Sequence, residues 1–217
     1  RGFVWLGTFD GLNRFDGKNI KVFKHDPDDS TSILSSKVYR IFADKNDHLY
    51  LNTNEGFCVF DCKTEKLLPT TFNKKNINFA IANKDAYHIW LYEKKKGILE
   101  VDTRDFRYQV KENSLIPSAN VQDAVKLIPN GNFIYIIMYN GDVCVYDLVK
   151  KTNIIYPNTI YSNASLSEYK YTSSELVKND KIYITSYTQD LIVFDIIEKK
   201  FIKSNLLSKK EICINKH

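Results

Sequence analysis

The stretch that decides the fold is Trp5-Leu6-Gly7-Thr8-Phe9-Asp10-Gly11-Leu12-Asn13-Arg14-Phe15-Asp16-Gly17. It reads as an apolar strand led by an aromatic residue, a glycine turn, and a second strand that ends in Asp-Gly. The final Asp16-Gly17 pair is typical of a tight hairpin turn, and a third strand is expected to follow it. The stretch therefore predicts a small antiparallel sheet.

The same pattern recurs four more times along the chain. Each copy ends in an aspartate, and the five are Asp16, Asp61, Asp102, Asp147 and Asp195. Eleven or twelve residues earlier, each copy has an aromatic residue followed by Leu or Ile: Trp5-Leu6, Tyr50-Leu51, Trp90-Leu91, Tyr135-Ile136 and Tyr183-Ile184. Successive aspartates are 45, 41, 45 and 48 residues apart. A period of roughly 40–50 residues built from short alternating strands is typical of a β-propeller blade.

The predicted fold is therefore all-β: a partial β-propeller of about four to five four-stranded blades, cut from a larger propeller of the seven-bladed type. The blades are predicted at about 1–24 (a partial blade), 38–72, 77–111, 120–156 and 171–204, within one segment over 1–217. Almost no helix is expected, since no segment keeps a 3.6-residue apolar period.

The last ten residues leave two architectures open. They contain Ile212-Cys213-Ile214, which either opens a further blade or completes the first blade and closes a five-bladed ring. Ring closure protects sheet edges. The start of the chain inside a strand favours the open fragment.

The composition and the motifs argue against several classes of function. The net charge of +5 is mild, and the basic residues are spread along the chain apart from Lys94-Lys95-Lys96, so no nucleic-acid surface is predicted. The four cysteines and four histidines lack metal-ligand spacing, and no glycine-rich phosphate motif occurs. No apolar run reaches the length of a transmembrane helix. No cofactor and no metal are expected.

Several conspicuous residues are interpreted as structural. Cys58 and Cys144 occupy the same slot of their repeats, which predicts buried free thiols. Trp5 and Trp90 hold a fixed repeat position, which indicates packing between blades rather than stacking on a ligand. The recurring aspartates are interpreted as strand-end turn formers that accept backbone N–H bonds.

The first repeat closely resembles the opening of the periplasmic sensor region of hybrid two-component systems, which is built from two-component regulator propeller repeats. In that family a blade reads as an apolar strand ending in Asp, then Gly-x-Leu-Trp-Ile-Gly-Thr, then Gly-Leu-x-Arg-Tyr/Phe-Asp. Residues 1–61 follow this pattern strongly, and Val22-Phe23-Lys24-His25-Asp26-Pro27-Asp28-Asp29-Ser30 adds to the likeness. The later repeats keep the aromatic pair and the terminal aspartate, while Gly7-Thr8 becomes Asn52-Thr53 and then Tyr92-Glu93.

The resemblance implies a periplasmic sensing domain of an inner-membrane receptor. In the family, a single transmembrane helix outside the sensor leads to a histidine kinase, a receiver and a DNA-binding domain. The sensor forms a homodimer and detects oligosaccharides released from complex glycans. This segment would thus bind an oligosaccharide, catalyse nothing itself, and meet neither nucleic acid nor, directly, the membrane. The alternative is a structural propeller that mediates dimerisation or another protein contact without a ligand site of its own.

Candidate ligand contacts lie on the loops that join strands two and three of each blade, and at the starts of the inner strands. Amides and carboxylates bind sugar hydroxyls, and aromatic faces pack on the apolar side of a sugar ring. The predicted ligand-binding residues are Asp10, Arg40, Asn54, Glu55, Asn78, Gln122, Asp123, Tyr139, Asn140 and Gln189. The competing interpretation is that such residues occupy turns for backbone reasons.

Two arginines and one enzymatic alternative complete the predictions. Arg40 would suit the carboxylate or sulfate of an acidic sugar, and Arg14 is expected to pair with a neighbouring acid. An acid–base pair of Asp123 with His88 or Arg40 is conceivable. However, the sequence shows no set of nucleophile, base and orienting residue, so no catalytic residue is predicted.

Overall fold

The computed structural model describes residues 2–72, 74–75, 80–93, 96–112, 124–138, 140–160, 177–178, 180–185 and 191–203. These ranges contain twenty β-strands and no helix, so none of them holds a helix that could cross a membrane. The chain forms two compact units, Arg1–Asn113 and Ser114–His217. The strands form separate antiparallel sheets of the propeller-blade type, which confirms the predicted fold class.

Unit 1 contains three blades. Blade 1 is a three-stranded sheet of β1 (Val4–Thr8), β2 (Gly11–Phe15) and β3 (Ile20–Phe23). Blade 2 contains β4 (Val38–Ala43), β5 (His48–Thr53), β6 (Gly56–Asp61), β7 (Lys66–Leu67) and β8 (Lys74–Lys75). Blade 3 contains β9 (Ala80–Asn83), β10 (His88–Glu93), β11 (Gly97–Asp102) and β12 (Tyr108–Glu112).

Unit 2 contains two four-stranded blades. Blade 4 contains β13 (Ala124–Asn130), β14 (Phe133–Met138), β15 (Val143–Asp147) and β16 (Thr152–Tyr156). Blade 5 contains β17 (Val177–Lys178), β18 (Lys181–Thr185), β19 (Leu191–Asp195) and β20 (Lys200–Lys203). The predicted closing or opening strand at Ile212–Ile214 lies outside the described residues.

The outer edge of blade 2 is not one continuous strand, although the blade predicted over 38–72 extends to Phe72. Two short pieces replace it: β7 pairs with the end of β6, and β8 pairs with the start of β6. Pro69 lies between them, and proline cannot donate a hydrogen bond to a neighbouring strand. The interruption lets Phe72 turn into the core between blades 2 and 3.

Within unit 1, the blades pack through the aromatic slot of the repeat. The ring of Trp5 lies 5.7 Å from that of Phe23 and 5.8 Å from that of Phe60 in blade 2, measured between centroids. The cluster around them includes Leu12 of blade 1 and Leu51 of blade 2. Aromatic pairs at these separations add to the free energy of simple burial. The predicted packing role of Trp5 is confirmed.

The predicted pairing of Arg14 with an acid is also confirmed. Its guanidinium donates to Glu65 in the β6–β7 turn of blade 2, and Lys21 donates to the other oxygen of the same carboxylate. The side chains of Arg14 and Glu65 are both largely shielded from solvent. This ion pair therefore links blades 1 and 2.

The five recurring aspartates form turns as predicted. In each, a carboxylate oxygen accepts a backbone N–H two residues later, at 2.8 Å in Asp16 and Asp61, 2.9 Å in Asp102 and Asp147, and 3.0 Å in Asp195. Asp147 also accepts the N–H of Lys150 at 2.9 Å, and this bond, together with that from Val149, holds the pKa of Asp147 below its usual range. The repeat thus ends in an aspartate because its side chain satisfies the turn backbone.

The cysteine prediction is confirmed for both residues. Cys58 and Cys144 are fully buried and free. Burial raises the pKa of the Cys58 thiol to about 11 and that of Cys144 to about 12. A thiol so far from ionisation is a poor nucleophile and metal ligand, which supports a packing role.

Asp44 has one of the most enclosed carboxylates among the described residues. The Asp44 side chain, in the β4–β5 turn, is only 1% exposed. It accepts the backbone N–H groups of Asn46 at 2.8 Å and His48 at 3.0 Å, and the Tyr50 hydroxyl at 3.1 Å; His48 Nδ1 lies 2.9 Å away. Burial raises the pKa of Asp44, but the hydrogen bonds, first that of the His48 side chain, hold it below its usual value.

Replacing Asp44 by asparagine should reduce the free energy of unfolding by about 2 kcal/mol at pH 7, because hydrogen bonds to a buried charged group are lost or weakened. A carboxyl group whose pKa is lower in the folded than in the unfolded protein stabilises the folded state at pH values above the unfolded pKa. That stabilisation is lost as the pH falls through the pKa of the folded state. The difference in the free energy of unfolding between the wild type and Asp44→Asn should therefore become smaller below about pH 4. Urea unfolding at pH 7 and pH 3 measures both effects.

The matched control is Asp85→Asn. Asp85 occupies the corresponding turn of blade 3 and makes similar backbone bonds, but its side chain is well exposed. A smaller loss at pH 7 is expected there. An equal loss in the two variants, or a gap for Asp44→Asn that does not change with pH, would contradict the interpretation of Asp44.

Candidate functional site

Six side chains of unit 1 lie close together where its strands turn. They come from the β1–β2 turn, the residue after β3, the start of β4 and the β5–β6 turn, and we call them the loop cluster: Phe9, Asp10, Lys24, Tyr39, Asn54 and Glu55. Three of the six are predicted ligand contacts, namely Asp10, Asn54 and Glu55. The cluster thus brings together residues from two blades.

The β1–β2 turn presents Phe9 to solvent. Thr8 Oγ1 donates to the Gly11 carbonyl at 3.0 Å and accepts the Asp10 N–H at 3.1 Å. Gly11 has a φ of +134°, a backbone conformation that favours glycine. Since the turn is held by its own polar groups, the Phe9 ring contributes little to it and remains 75% exposed.

An irregularity in β4 directs the side chain of Tyr39 toward Phe9. The pairing of β4 with β5 shifts register between Val38 and Arg40, so Tyr39 has no opposite residue. Such a bulge redirects the side chain it carries. The Tyr39 ring is 52% exposed and lies edge-on to Phe9, with centroids 5.9 Å apart and an interplanar angle of 77°.

Polar groups border this aromatic pair. The Tyr39 hydroxyl donates to Asn54 Oδ1 at 2.8 Å, and Asn54 Nδ2 lies 3.4 Å from Glu55 Oε1. The Asn54 backbone N–H donates to the Lys37 carbonyl at 3.0 Å, which fixes the β5–β6 turn. An amide, a carboxylate and a hydroxyl therefore lie beside two exposed rings.

An exposed ion pair completes the cluster. Lys24 Nζ lies 2.6 Å from Asp10 Oδ1, and both side chains are mostly exposed. A pair of this kind contributes little to stability, so either partner is available to a ligand hydroxyl. Arg40 directly follows Tyr39, is itself exposed, and is paired in register with Asn52.

The other predicted contacts are not part of the loop cluster. Asn140 lies in unit 2, where its Nδ2 donates to Asp142 Oδ2 at 2.8 Å and its Oδ1 accepts the Asp142 N–H at 3.1 Å. Its bonds are those of a turn former. The remaining predicted contacts lie outside the described residues: Asn78, Gln122, Asp123, Tyr139 and Gln189.

Phe9 and Tyr39 lie on the loops and inner-strand starts that the sequence predicted to face a ligand, although neither is among the ten predicted contact residues. Lys24 was not predicted. A usable signal was present for Phe9, because a large aromatic residue occupies a two-residue turn where polar residues are the rule. Tyr39 was predicted at the start of an inner strand, but its contact with Phe9 depends on the bulge in β4, which the sequence pattern does not reveal.

Two further predictions from the sequence concern metal binding and acid–base chemistry. Within it, no group of three or more His, Cys, Asp or Glu side chains could hold a metal ion. His88, the base of the conceivable acid–base pair, lies 2.9 Å from Asp85 in its own turn, and the other member, Asp123, is not described. The loop cluster is suited to binding through hydrogen bonds and ring contacts.

The sequence matches a kinase over a short stretch. The chain matches no protein-family model. Over 32 residues, 15% of this chain, it is 56% identical to Histidine kinase P4 of Formosa agariphila, of which it covers 2%. A match this short agrees with the family resemblance of the first repeat.

Solved structures with a similar fold cover nearly the whole chain. The extracellular domain of a putative hybrid two-component system from B. thetaiotaomicron matches 94% of this chain with a TM-score of 0.63 and 16% identity. That of a putative one-component system from the same organism matches 93% with a TM-score of 0.66 and 16% identity. This chain spans 27% and 26% of their lengths. These similarities confirm the propeller-type fold, and the extracellular setting of both agrees with the expected location.

Proposed function

We propose that this chain is part of the extracytoplasmic ligand-sensing domain of a hybrid two-component receptor. Three findings support this proposal: the sequence pattern of the first repeat, the short match to a histidine kinase, and the fold shared with extracellular domains of such systems. In this function the segment recognises a ligand and passes the signal to a kinase elsewhere in the receptor. It performs no catalysis itself.

The proposed ligand is a glycan-derived oligosaccharide, and the proposed site is the loop cluster with Arg40. The observation that carries the proposal is the exposed Phe9–Tyr39 pair bordered by Asn54 and Glu55. A sugar ring has an apolar side that packs on aromatic faces and hydroxyls that bind amides and carboxylates. Arg40 would add recognition of an acidic group on the sugar.

Exposure of these two rings has little structural benefit. Phe9 lies at a turn tip that polar bonds already hold, and Tyr39 gains only the Phe9 contact and one hydrogen bond. Burying either ring against a ligand would remove apolar surface from water, which is favourable by about 25 cal/mol per Å². A binding function accounts for their positions better than packing does.

Calorimetric titration against defined oligosaccharides, neutral and acidic, tests the proposal. For a sugar that binds, Tyr39→Ala and Phe9→Ala should each weaken affinity about tenfold, equivalent to about 1.4 kcal/mol. Tyr87→Ala is the matched control, because Tyr87 is an exposed tyrosine of unit 1 outside the loop cluster. Unchanged affinity in both the Tyr39→Ala and Phe9→Ala variants would show that the sugar binds outside the loop cluster.

The same titration on the full receptor sensor region separates the site from the function. Binding by that region but not by this chain would make these blades a scaffold. Absence of binding by either, with dimerisation intact, would favour the second candidate function, a propeller that mediates protein contact. The exposed aliphatic side chains of Val149 and Ile197, at corresponding turns of blades 4 and 5, favour that alternative.

A further inference from the structure

Glu93, the last residue of β10, has a carboxylate that is buried but poorly satisfied. Its side chain is only 6% exposed. The carboxylate lies 3.7 Å from Lys96 Nζ, longer than a normal hydrogen bond, and no group in the described part of the chain donates a hydrogen bond to it. Asp44, which is similarly enclosed, accepts two backbone N–H groups and the Tyr50 hydroxyl. Because a buried charge without hydrogen bonds is costly, Glu93 calls for an explanation other than stability.

The repeat shows which residue serves the fold at this position. Thr8 and Thr53 end the corresponding strands of blades 1 and 2, and the Oγ1 of each donates to the carbonyl of the glycine three residues later, at 3.0 and 2.8 Å. An ionised carboxylate cannot donate such a bond. The β10–β11 turn is held instead by the Lys96 N–H, which donates to the Glu93 carbonyl at 3.1 Å. The side chain of Glu93 is therefore not what holds its turn.

Two partly exposed side chains accompany the carboxylate. Lys96 is 33% exposed, and Tyr108 of β12 is 36% exposed. Lys96 Nζ lies 2.9 Å from the Tyr108 hydroxyl and 4.7 Å from the centre of the Tyr108 ring. Phe72 of blade 2 contacts the same ring, with centroids 5.4 Å apart. A hydrogen-bond acceptor, a donor and an aromatic ring thus lie together at one turn of blade 3.

The charges at this turn indicate which chemical group fits. Glu93 and Lys96 carry opposite charges that largely cancel, so a cation would be repelled by the ammonium and an anion by the carboxylate. An uncharged group with several hydroxyls meets no such conflict, because it can donate to the carboxylate and accept from the ammonium. The apolar side of a sugar ring can also pack on the ring of Tyr108. A neutral sugar satisfies all three side chains.

We propose that Glu93, Lys96 and Tyr108 form a subsite for an uncharged sugar residue of the ligand. The inference rests on the proposed function, and it adds a neutral sugar recognised by blade 3 to the contacts of the loop cluster. The β10–β11 turn corresponds to the β1–β2 and β5–β6 turns of that cluster, and blades 1, 2 and 3 pack in succession, so all three turns lie at the same end of the blades. The sugar hydroxyls supply the hydrogen bonds that the Glu93 carboxylate lacks.

Titration of the full-length protein with short neutral oligomers of glucose, xylose, mannose and galactose tests the subsite. For an oligomer that binds, Glu93→Thr should weaken affinity about tenfold or more. The urea midpoint of unfolding should stay at or above that of the wild type, because threonine is the residue of this slot in blades 1 and 2. Glu93→Gln, which keeps the size of the side chain, should show the same two effects.

The matched control is Glu100→Thr. Glu100 also lies in blade 3 and is largely enclosed, but its carboxylate is paired with Lys84 and lies 2.8 Å from Lys111 Nζ. This variant should lower the urea midpoint and leave the affinity for the oligomer unchanged. The opposite behaviour of the two positions distinguishes a binding carboxylate from a structural one.

The loop-cluster variants separate the subsite from the proposed function. Weaker binding in Tyr39→Ala with unchanged affinity in both Glu93 variants would overturn the subsite and leave the proposed function standing. Weaker binding in the Glu93 variants alone would support the subsite and place the sugar outside the loop cluster. Binding of acidic oligomers only, binding of no oligomer, or a lower urea midpoint in both Glu93 variants would each overturn the subsite.

Discussion

Replacing Phe60 by alanine is expected to lower the free energy of unfolding of unit 1 by about 3–5 kcal/mol. Phe60 is buried at the junction of blades 1 and 2, with ring centroids 5.8 Å from Trp5 and 5.2 Å from Phe23. Its loss removes two aromatic contacts and leaves a cavity that a rigid sheet interface cannot close. Urea unfolding followed by tryptophan fluorescence reports the change, since Trp5 contacts the substituted residue.

The control is Phe15→Ala in the same 217-residue chain. Phe15 holds the same slot one repeat earlier, but it lies on the face of the blade 1 sheet that points away from blade 2 and is only partly buried. Its replacement should cost about 1 kcal/mol, the usual scale for a site without a closed cavity. Equal losses in the two variants would contradict the assignment of Phe60 to an interface between blades.

The blade structure could be predicted from sequence because each repeat satisfies its own local rules. Alternation of apolar residues, glycine and asparagine at turns, and the terminal aspartate all operate within one hairpin. The turn bonds of Asp16 and Asp147 each span two residues. Interactions of that range leave a direct trace in the sequence.

Features that depend on contacts between distant residues could not be predicted in the same way. Arg14 was expected to find an acid, but its partner Glu65 lies 51 residues away in the chain. The gap between β7 and β8 reflects Pro69 together with the core position of Phe72. Tyr39 was expected at the start of an inner strand, but the bulge of β4 against β5, which redirects its side chain toward Phe9, was not. Each outcome depends on packing between blades or strands.

In unit 1, the contacts between blades 1 and 2 support the loop cluster. The interface between blades 1 and 2 is apolar and includes the aromatic rings of Trp5, Phe23 and Phe60, and the ion pair of Arg14 with Glu65 also links the two blades. The loop cluster is built from turns of those same two blades, so its two halves are held by that interface. A ligand that touches Phe9 and Asn54 together would therefore sense how blades 1 and 2 are packed.

Glycine at position 11 should be indispensable to this arrangement. Its φ of +134° is unfavourable for any residue with a side chain, and an added Cβ would lie 2.6 Å from the Phe23 carbonyl oxygen and 2.9 Å from Val22 Cγ1. Because the closest atom belongs to the backbone of β3, the sheet itself would have to shift. We expect Gly11→Ala to lower the free energy of unfolding by about 3 kcal/mol, from backbone strain and steric overlap together.

Gly17→Ala separates those two causes. Gly17 also has a positive φ, +97°, but an added Cβ there would meet no atom within 4 Å. Gly17→Ala should therefore lower the free energy of unfolding through backbone strain alone, by about 1 kcal/mol. Since Gly11 also holds the turn that carries Phe9, Gly11→Ala should weaken oligosaccharide binding while Gly17→Ala leaves it unchanged. Denaturant unfolding and titration on the two variants measure both effects. Equal stability losses would show that the close approach to Phe23 is relieved without cost, and that the β1–β2 turn adapts more freely than its hydrogen bonds indicate.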